Sequence, residues 1–280
     1  MILDGKEVAK KIYEELKKDI LKLEKKPKLG VILVGNNPSS IRYINQKQKY
    51  AKEVGIDFEL FSFDENVLEK DLLEKINILN NDESISGYIV QLPLPRHIDE
   101  KTIINSISPK KDVDGFHTIN QGKIVIGDES GLTPCTPSGI LEIFKYYNID
   151  LIGKNIVVVG RSNIVGKPIA NMLINKQSTV TICNSKTKNI EFFTKNADIV
   201  ILALGKPNFL TLDKIGDNTI VIDVGFTVID GKIYGDACFG EILQNGNPIT
   251  PVPGGVGVLT VAMLLKNTYK AFFYNSQIEI

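Results

Sequence analysis

The sequence predicts an α/β protein of two domains, each a parallel sheet wrapped by helices. Three observations carry this prediction. Short apolar runs alternate with stretches of helical periodicity along most of the chain. The 280 residues suffice for two modest cores. A stretch rich in Pro, Asp, Gly and Thr over 108–139 separates two such alternating series and reads as a loop.

Residues 5–25 place apolar side chains at helical spacing between lysines and glutamates, and the pattern stops at Lys26 and Pro27. Leu29 to Val34 follows as a buried strand closed by Gly35. A helix over 38–53, a strand at 56–60, a helix over 67–79 and a strand at 87–91 complete the first series. Right-handed crossovers between such strands make the sheet parallel. Beyond the loop, a helix over 137–147 leads to strands at 155–159, 179–183, 199–204 and 219–224. Asp230 and Gly231 between short apolar pairs predict a hairpin turn, and a last helix is expected over 257–273.

Composition narrows the function. The 33 Lys and Arg balance 33 Asp and Glu, so the formal charge is zero. A protein that holds nucleic acid or an anionic membrane surface needs a basic excess, so neither partner is expected. Anion sites must be local, and the only arginines are Arg42, Arg96 and Arg161. Cys135, Cys183 and Cys238 are odd in number and far apart, which argues against a disulfide framework or a cysteine zinc site. The start meets charge at once and no apolar run approaches a membrane span of about 20 residues, so a soluble, cytoplasmic protein is expected. His97 and His117 stand outside metal-ligand spacing; loop or surface roles are expected for them, and no metal.

The strand at 155–159 runs into Gly160, Arg161, Ser162, Asn163, Ile164, Val165 and Gly166, which open a helix. Glycines there let backbone approach a pyrophosphate seated on the helix start. The spacing departs from G-x-G-x-x-G, since Ser162 holds the second glycine position and the last glycine comes one residue late. Glycines for packing alone are the plainer alternative. About 20 residues on, an NAD site carries Asp or Glu for the ribose hydroxyl. Here the chain reads Cys183, Asn184, Ser185, Lys186, a setting that suits a 2′-phosphate and hence NADP.

Tyr43 and Lys47, four residues apart, share a helical face after the first strand. A partly desolvated lysine loses proton affinity and can serve as a base. From spacing alone the pair reads more simply as a solvated helix face. Gln91 leaves the strand at 87–91 ahead of Leu92, Pro93, Leu94 and Pro95. Asp112 and Asp114 flank Val113 before Gly115 and form either an Asx-type turn or an acceptor for a heterocycle's N–H groups. A run of prolines and glycines from Thr250 through Pro253, Gly254, Gly255 and Gly257 precedes the last helix.

Together these segments, with Pro134 to Pro137, closely resemble the FolD family of bifunctional methylenetetrahydrofolate dehydrogenase and methenyltetrahydrofolate cyclohydrolase. The resemblance covers nearly the whole chain. It implies a catalytic folate-binding domain over 1–118, completed by the C-terminal helix at about 260–280, and a Rossmann-like NADP domain over 119–259. A cleft between the domains and a homodimer built through the cofactor domains are implied as well. The implied reaction is NADP-dependent oxidation of 5,10-methylenetetrahydrofolate to the methenyl form, then hydrolysis to 10-formyltetrahydrofolate, within the one-carbon metabolism that serves purine, methionine and histidine biosynthesis. By resemblance, Lys47 is the key group of the hydrolysis, Gln91 tunes it, Tyr43 positions folate and Asp114 anchors the pterin. Ser40, Pro253, Gly254 and Gly255 join the folate site. Gly160, Arg161, Ser162, Ile164, Val165, Gly166, Ser185, Gly205 and Thr227 meet the cofactor.

Three places depart from the family pattern: Asn184 before the serine, Phe226 and Thr227 after Gly225, and Val258 and Leu259 after the glycine run. Two rival readings are a shikimate dehydrogenase-like NADP oxidoreductase, and a non-catalytic NADP-binding regulator with no need of Lys47.

Overall fold

The computed structural model describes residues 1–276, so the end of the expected helix at 277–280 lies outside the described residues. Ten helices and nine strands follow in chain order among them: α1 (Gly5–Ile20), β1 (Lys28–Val34), α2 (Pro38–Val54), β2 (Asp57–Phe63), α3 (Glu69–Asn81), β3 (Gly87–Val90), α4 (Glu100–Ser106), α5 (Thr118–Ile126), α6 (Cys135–Tyr146), β4 (Asn155–Val159), α7 (Gly166–Asn175), β5 (Thr179–Cys183), α8 (Ile190–Lys195), β6 (Ile199–Leu202), β7 (Ile220–Asp223), β8 (Thr227–Ile229), β9 (Lys232–Tyr234), α9 (Phe239–Gln244) and α10 (Leu259–Ser276).

The chain divides into two compact units. One holds Lys11–Cys135 and the residues from Val261 on; the other holds Met1–Lys10 and Thr136–Thr260. We call them the Lys47 unit and the Gly160 unit. The two units divide at 135/136, later in the chain than the expected domain boundary at 118/119, and the first ten residues group with the second unit. Hydrogen bonds supply the reason. The Asn120 side chain donates to Pro109 O and Asp112, which ties 118–135 to what precedes it, and Asn267 donates to Thr133 O, which ties it to α10. Leu3 N donates to Ile249 O, which ties the chain start to the Gly160 unit.

In the Lys47 unit the sheet order is β2-β1-β3, all parallel. The central strand β1 is buried along six of its seven residues, as its unbroken apolar run requires. Ile32, Val34, Leu72, Ile76, Leu79, Ile85 and Tyr88 pack there into one core; each fully buried aliphatic side chain contributes about 1.5–3 kcal/mol. Helix α2 begins cleanly because Asn37 caps it, accepting from Ser39 N and Ser40 N, with Pro38 at its first turn. Gly55, left-handed at φ +90°, ends it.

In the Gly160 unit the order is β5-β4-β6-β7, again parallel, over a core that includes Val157, Val159, Val200, Leu202 and Val221. The hairpin expected at Asp230–Gly231 is present: β8 and β9 pair antiparallel, and both turn residues take positive φ.

The stretch 108–139 is not a plain loop, because it contains α5 and the start of α6. Its composition hid α5, which carries Gly122 mid-helix and is defined instead by its ends. His117 Nδ1 accepts from Ile119 N, and Gly127 closes the helix in the left-handed conformation. His117 is thus a buried cap rather than a surface residue, and its Nε2 donates to Asn105 O at 3.1 Å.

Candidate active site

Open parallel sheets bind ligands where the strand order reverses, outside the carboxyl ends of the strands. In the Lys47 unit that reversal is at β1, between β2 and β3. The chain leaving β1 enters α2, and the chain leaving β3 begins with Gln91, whose N–H donates to Ile32 O at 2.9 Å.

Helix α2 buries Ser40, Ile44, Lys47, Ala51 and Val54, a stripe at helical spacing that points inward. Lys47 therefore lies on the packed face and is only 8% exposed; the solvated-face reading does not hold for it. Tyr43, a turn earlier and off that stripe, is 44% exposed. The Lys47 Nζ donates to Gln91 Oε1 at 2.8 Å, and Gln91 Nε2 donates to Leu92 O at 2.7 Å. Burial lowers the lysine's proton affinity, and Asp114 and Cys135 partly offset this. Asp114 is pushed up to about 6, chiefly by burial and secondarily by Asp112, against the pull of Lys47.

The two aspartates of 112–114 divide the alternatives left open by the sequence. Asp112 makes the turn: its carboxylate accepts from Gly115 N, His117 N and the Asn120 amide. Asp114 carries the charge felt by Lys47. Lys111, next to them, is structural; its buried ammonium donates to Leu79 O and Asp82 O at the carboxyl end of α3.

Sequence reasoning missed two residues here. Cys135 lies within the field of Asp114 and Lys47, its thiol held well above its ordinary range by burial, and it donates to Val113 O. Asn267 on α10 donates to both Val113 O and Thr133 O at 2.8 Å, holding the strand of chain before Asp114. Asn267 is only 5% exposed, a burial that the sequence did not signal.

In the Gly160 unit the order reverses at β4, and Gly160 follows it at φ +136°. A Cβ on Gly160 would stand 2.4 Å from Ala203 O, and one on Gly166 would stand 2.2 Å from Gly160 O. Both glycines are thus required by close backbone approach. Ser162 Oγ accepts from Val165 N and Gly166 N and closes the turn, while Arg161, Ser162 and Ile164 are exposed around it. At the end of β5, Asn184 shapes an Asx turn, accepting from Lys186 N, and leaves Ser185 exposed. A tight glycine turn at a switch point, with an arginine, a serine hydroxyl and a lysine exposed around it, fits a phosphorylated dinucleotide. Gly205 and Thr227 follow β6 and β7 in the same unit. Pro253, Gly254 and Gly255, expected at the folate, also belong to this unit; Gly5 N donates to Gly254 O, and a Cβ on Gly5 would meet Gly255 O. The structure thus gathers Ser40, Tyr43, Lys47, Gln91 and Asp114 in one unit and the remaining expected site residues in the other.

The catalytic-domain model of tetrahydrofolate dehydrogenase/cyclohydrolase matches residues 3–114, and the NAD(P)-binding domain model of the same family matches 134–276. The chain belongs to this family. A relative named bifunctional protein FolD, from Bacillus cytotoxicus, is 50% identical over 97% of this chain and 96% of its own. The bifunctional FolD structure from Campylobacter jejuni superposes with TM-score 0.96 at 46% identity, covering 98% of this chain and 99% of that one. The Trypanosoma brucei family member, solved with NADP cofactor and inhibitor, gives TM-score 0.92 at 34% identity over 99% of both chains. Among the described residues, no group of His, Cys, Asp and Glu is arranged to hold a metal, and no helix is long and apolar enough to cross a membrane.

Proposed function

We propose that this chain oxidises 5,10-methylenetetrahydrofolate to 5,10-methenyltetrahydrofolate with NADP and hydrolyses the product to 10-formyltetrahydrofolate. The observation that carries the reading is the buried Lys47, aimed at Gln91 and coupled to Asp114, in a chain whose other unit builds the glycine turn.

NADP, when bound, supplies the hydride acceptor. The carbon that loses hydride bridges two nitrogens whose lone pairs stabilise the cation, so the first step asks the protein mainly for orientation. Tyr43, exposed on α2, offers a flat face to the folate, and Ser40 lies one turn nearer the helix start. Asp114 presents a carboxyl able to accept from the N–H donors of the pterin. Hydrolysis asks for more. Water must lose a proton as it attacks the methenyl carbon, and a lysine of reduced proton affinity takes that proton at Nζ. Gln91 Oε1 keeps the nitrogen in place. The exposed Arg161 and Ser185 suit the 2′-phosphate; Gly160, Ser162, Ile164, Val165 and Gly166 bring backbone to the pyrophosphate.

A shikimate dehydrogenase-like reading accounts for the two-domain pattern but gives no role to Lys47 or Asp114, and a cofactor-binding regulator has no use for a buried base. A homodimer through the Gly160 unit is supported by β5, an edge strand that exposes Ile182. A cytoplasmic setting is supported by three free thiols. The expected activity belongs to the one-carbon metabolism that serves purine, methionine and histidine biosynthesis.

The test is direct. Purified protein given 5,10-methylenetetrahydrofolate is expected to reduce NADP faster than NAD, and Lys47→Met is expected to lose methenyl hydrolysis with its fold intact. Folded protein with neither activity would sink the reading.

A further inference from the structure

Two buried carboxylates in the Gly160 unit belong to neither reaction centre. Asp236 is fully buried after β9. Its Oδ2 accepts from Leu204 N at 2.7 Å and Gly205 N at 3.0 Å, and its Oδ1 accepts from Lys206 N at 2.6 Å. Three successive amides thus converge on one carboxylate, the arrangement that backbone uses to hold an anion. Asp223, the last residue of β7, does the same for the neighbouring chain: it accepts from Gly225 N and Asp236 N at Oδ1 and from Ala237 N at Oδ2. Glycines permit the approach. A Cβ on Gly225 would stand 2.5 Å from Asp236 Cγ, and one on Gly235 would stand 2.2 Å from Asp223 Oδ2.

The segments so held are 204–206 and 223–225, the exits of β6 and β7 at the carboxyl edge of the sheet. That edge is where an open α/β sheet receives a dinucleotide. Gly205, left-handed at φ +66° and exposed, is the middle residue of the first segment. Its amide is already committed to Asp236, so its part toward a cofactor is one of backbone shape.

We propose that Asp236, itself set in place by Asp223, is a positioning residue for the dehydrogenase, fixing the 204–206 turn in the form that receives NADP without touching the cofactor. This rests on the NADP reading above. It also separates the two activities, since methenyl hydrolysis needs no cofactor and its base lies in the Lys47 unit.

Asp236→Asn keeps the shape but turns an NH2 group toward backbone N–H donors. In the full chain, NADP affinity measured by titration calorimetry is expected to fall at least tenfold. The KM for NADP is expected to rise while methenyl hydrolysis stays within twofold of the parent. Unchanged NADP affinity in the folded variant would overturn the proposal, and so would equal losses of hydrolysis and NADP binding, which would mark a general structural role. If the variant does not fold, hydrogen exchange on the unaltered, cofactor-free protein decides. The amides of Leu204, Gly205 and Lys206 are expected to exchange slowly, and exchange at the rate of open loops would overturn the proposal. Should the parent protein itself bind no NADP, the functional reading fails, not this assignment alone.

Discussion

The Lys47 Nζ faces the carbonyl oxygen of Gln91, 2.8 Å away, and the glutamine cannot turn over, because its amide nitrogen is committed to Leu92 O. A neutral acceptor at that place holds the lysine without opposing the loss of its proton. Gln91→Glu would set a carboxylate there instead and raise the proton affinity that burial has lowered. The rising limb of the hydrolysis rate is expected to move to higher pH, with a loss of at least about tenfold near neutrality, since each pH unit of displacement is a factor of ten on that limb. NADP affinity is expected to be unchanged. A pH–rate profile superposable on the parent's would remove the base role from Lys47.

Asp114 stores instability at neutral pH. Its carboxyl is raised from an ordinary value near 3.8 to about 6, so between those limits the folded protein binds more protons than the unfolded chain. Stability is therefore lost as pH rises through about 4 to 6, and the loss persists above. Asp114→Asn is expected to raise the thermal midpoint at pH 7.5 by the equivalent of at most about 3 kcal/mol, from a shift of about two units, and to leave it unchanged near pH 4. Turnover is expected to fall. Equal midpoints at pH 7.5 would contradict the burial argument.

Gly166→Ala tests the glycine turn. Its Cβ would stand 2.2 Å from Gly160 O, so the backbone must open where the pyrophosphate would lie. NADP binding, followed by fluorescence titration, is expected to weaken at least about tenfold, a change of about 1.4 kcal/mol. Retained affinity would show that the turn is not the phosphate site.

Lys111→Met removes the buried ammonium that donates to Leu79 O and Asp82 O. Carbonyls at a helix's carboxyl end lose their partner, and hydrogen bonds to charged groups are worth about 1.5–3 kcal/mol. A drop of that order is expected in denaturant unfolding, with Lys111→Arg recovering part of it. No drop would mean that water replaces the ammonium.

What the sequence made legible follows from periodicity. The parallel strands and their helices were readable because a buried parallel strand is apolar at every position and a surface helix is not, as in β1 and α2. The phosphate turn was readable because its glycines sit between a strand and a helix. The burial of Lys47 was not readable from Tyr43 and Lys47 alone, since it depends on the stripe through Ser40, Ile44 and Ala51. Helix α5 escaped because a histidine side chain and a left-handed glycine define its ends while its interior has weak helical preference. Asn267 and Asp236 escaped for a different reason. Their partners lie 134 and 154 residues away for Asn267 and about 30 for Asp236, and such pairings leave no local pattern.

The division of the chain has a consequence for its manufacture. The Lys47 unit takes residues 11–135 and then needs those from Val261 on, including Asn267, which closes over Val113 and Thr133. A ribosome adds about 5–20 residues each second, so the larger part of that unit waits several seconds or more while the whole of 136–260 is made. The half of the protein whose sequence is mostly written first is thus the half completed last. Until then it lacks the Asn267 bonds to Val113 O and Thr133 O, and that interval is when a nascent chain most needs shielding from its neighbours.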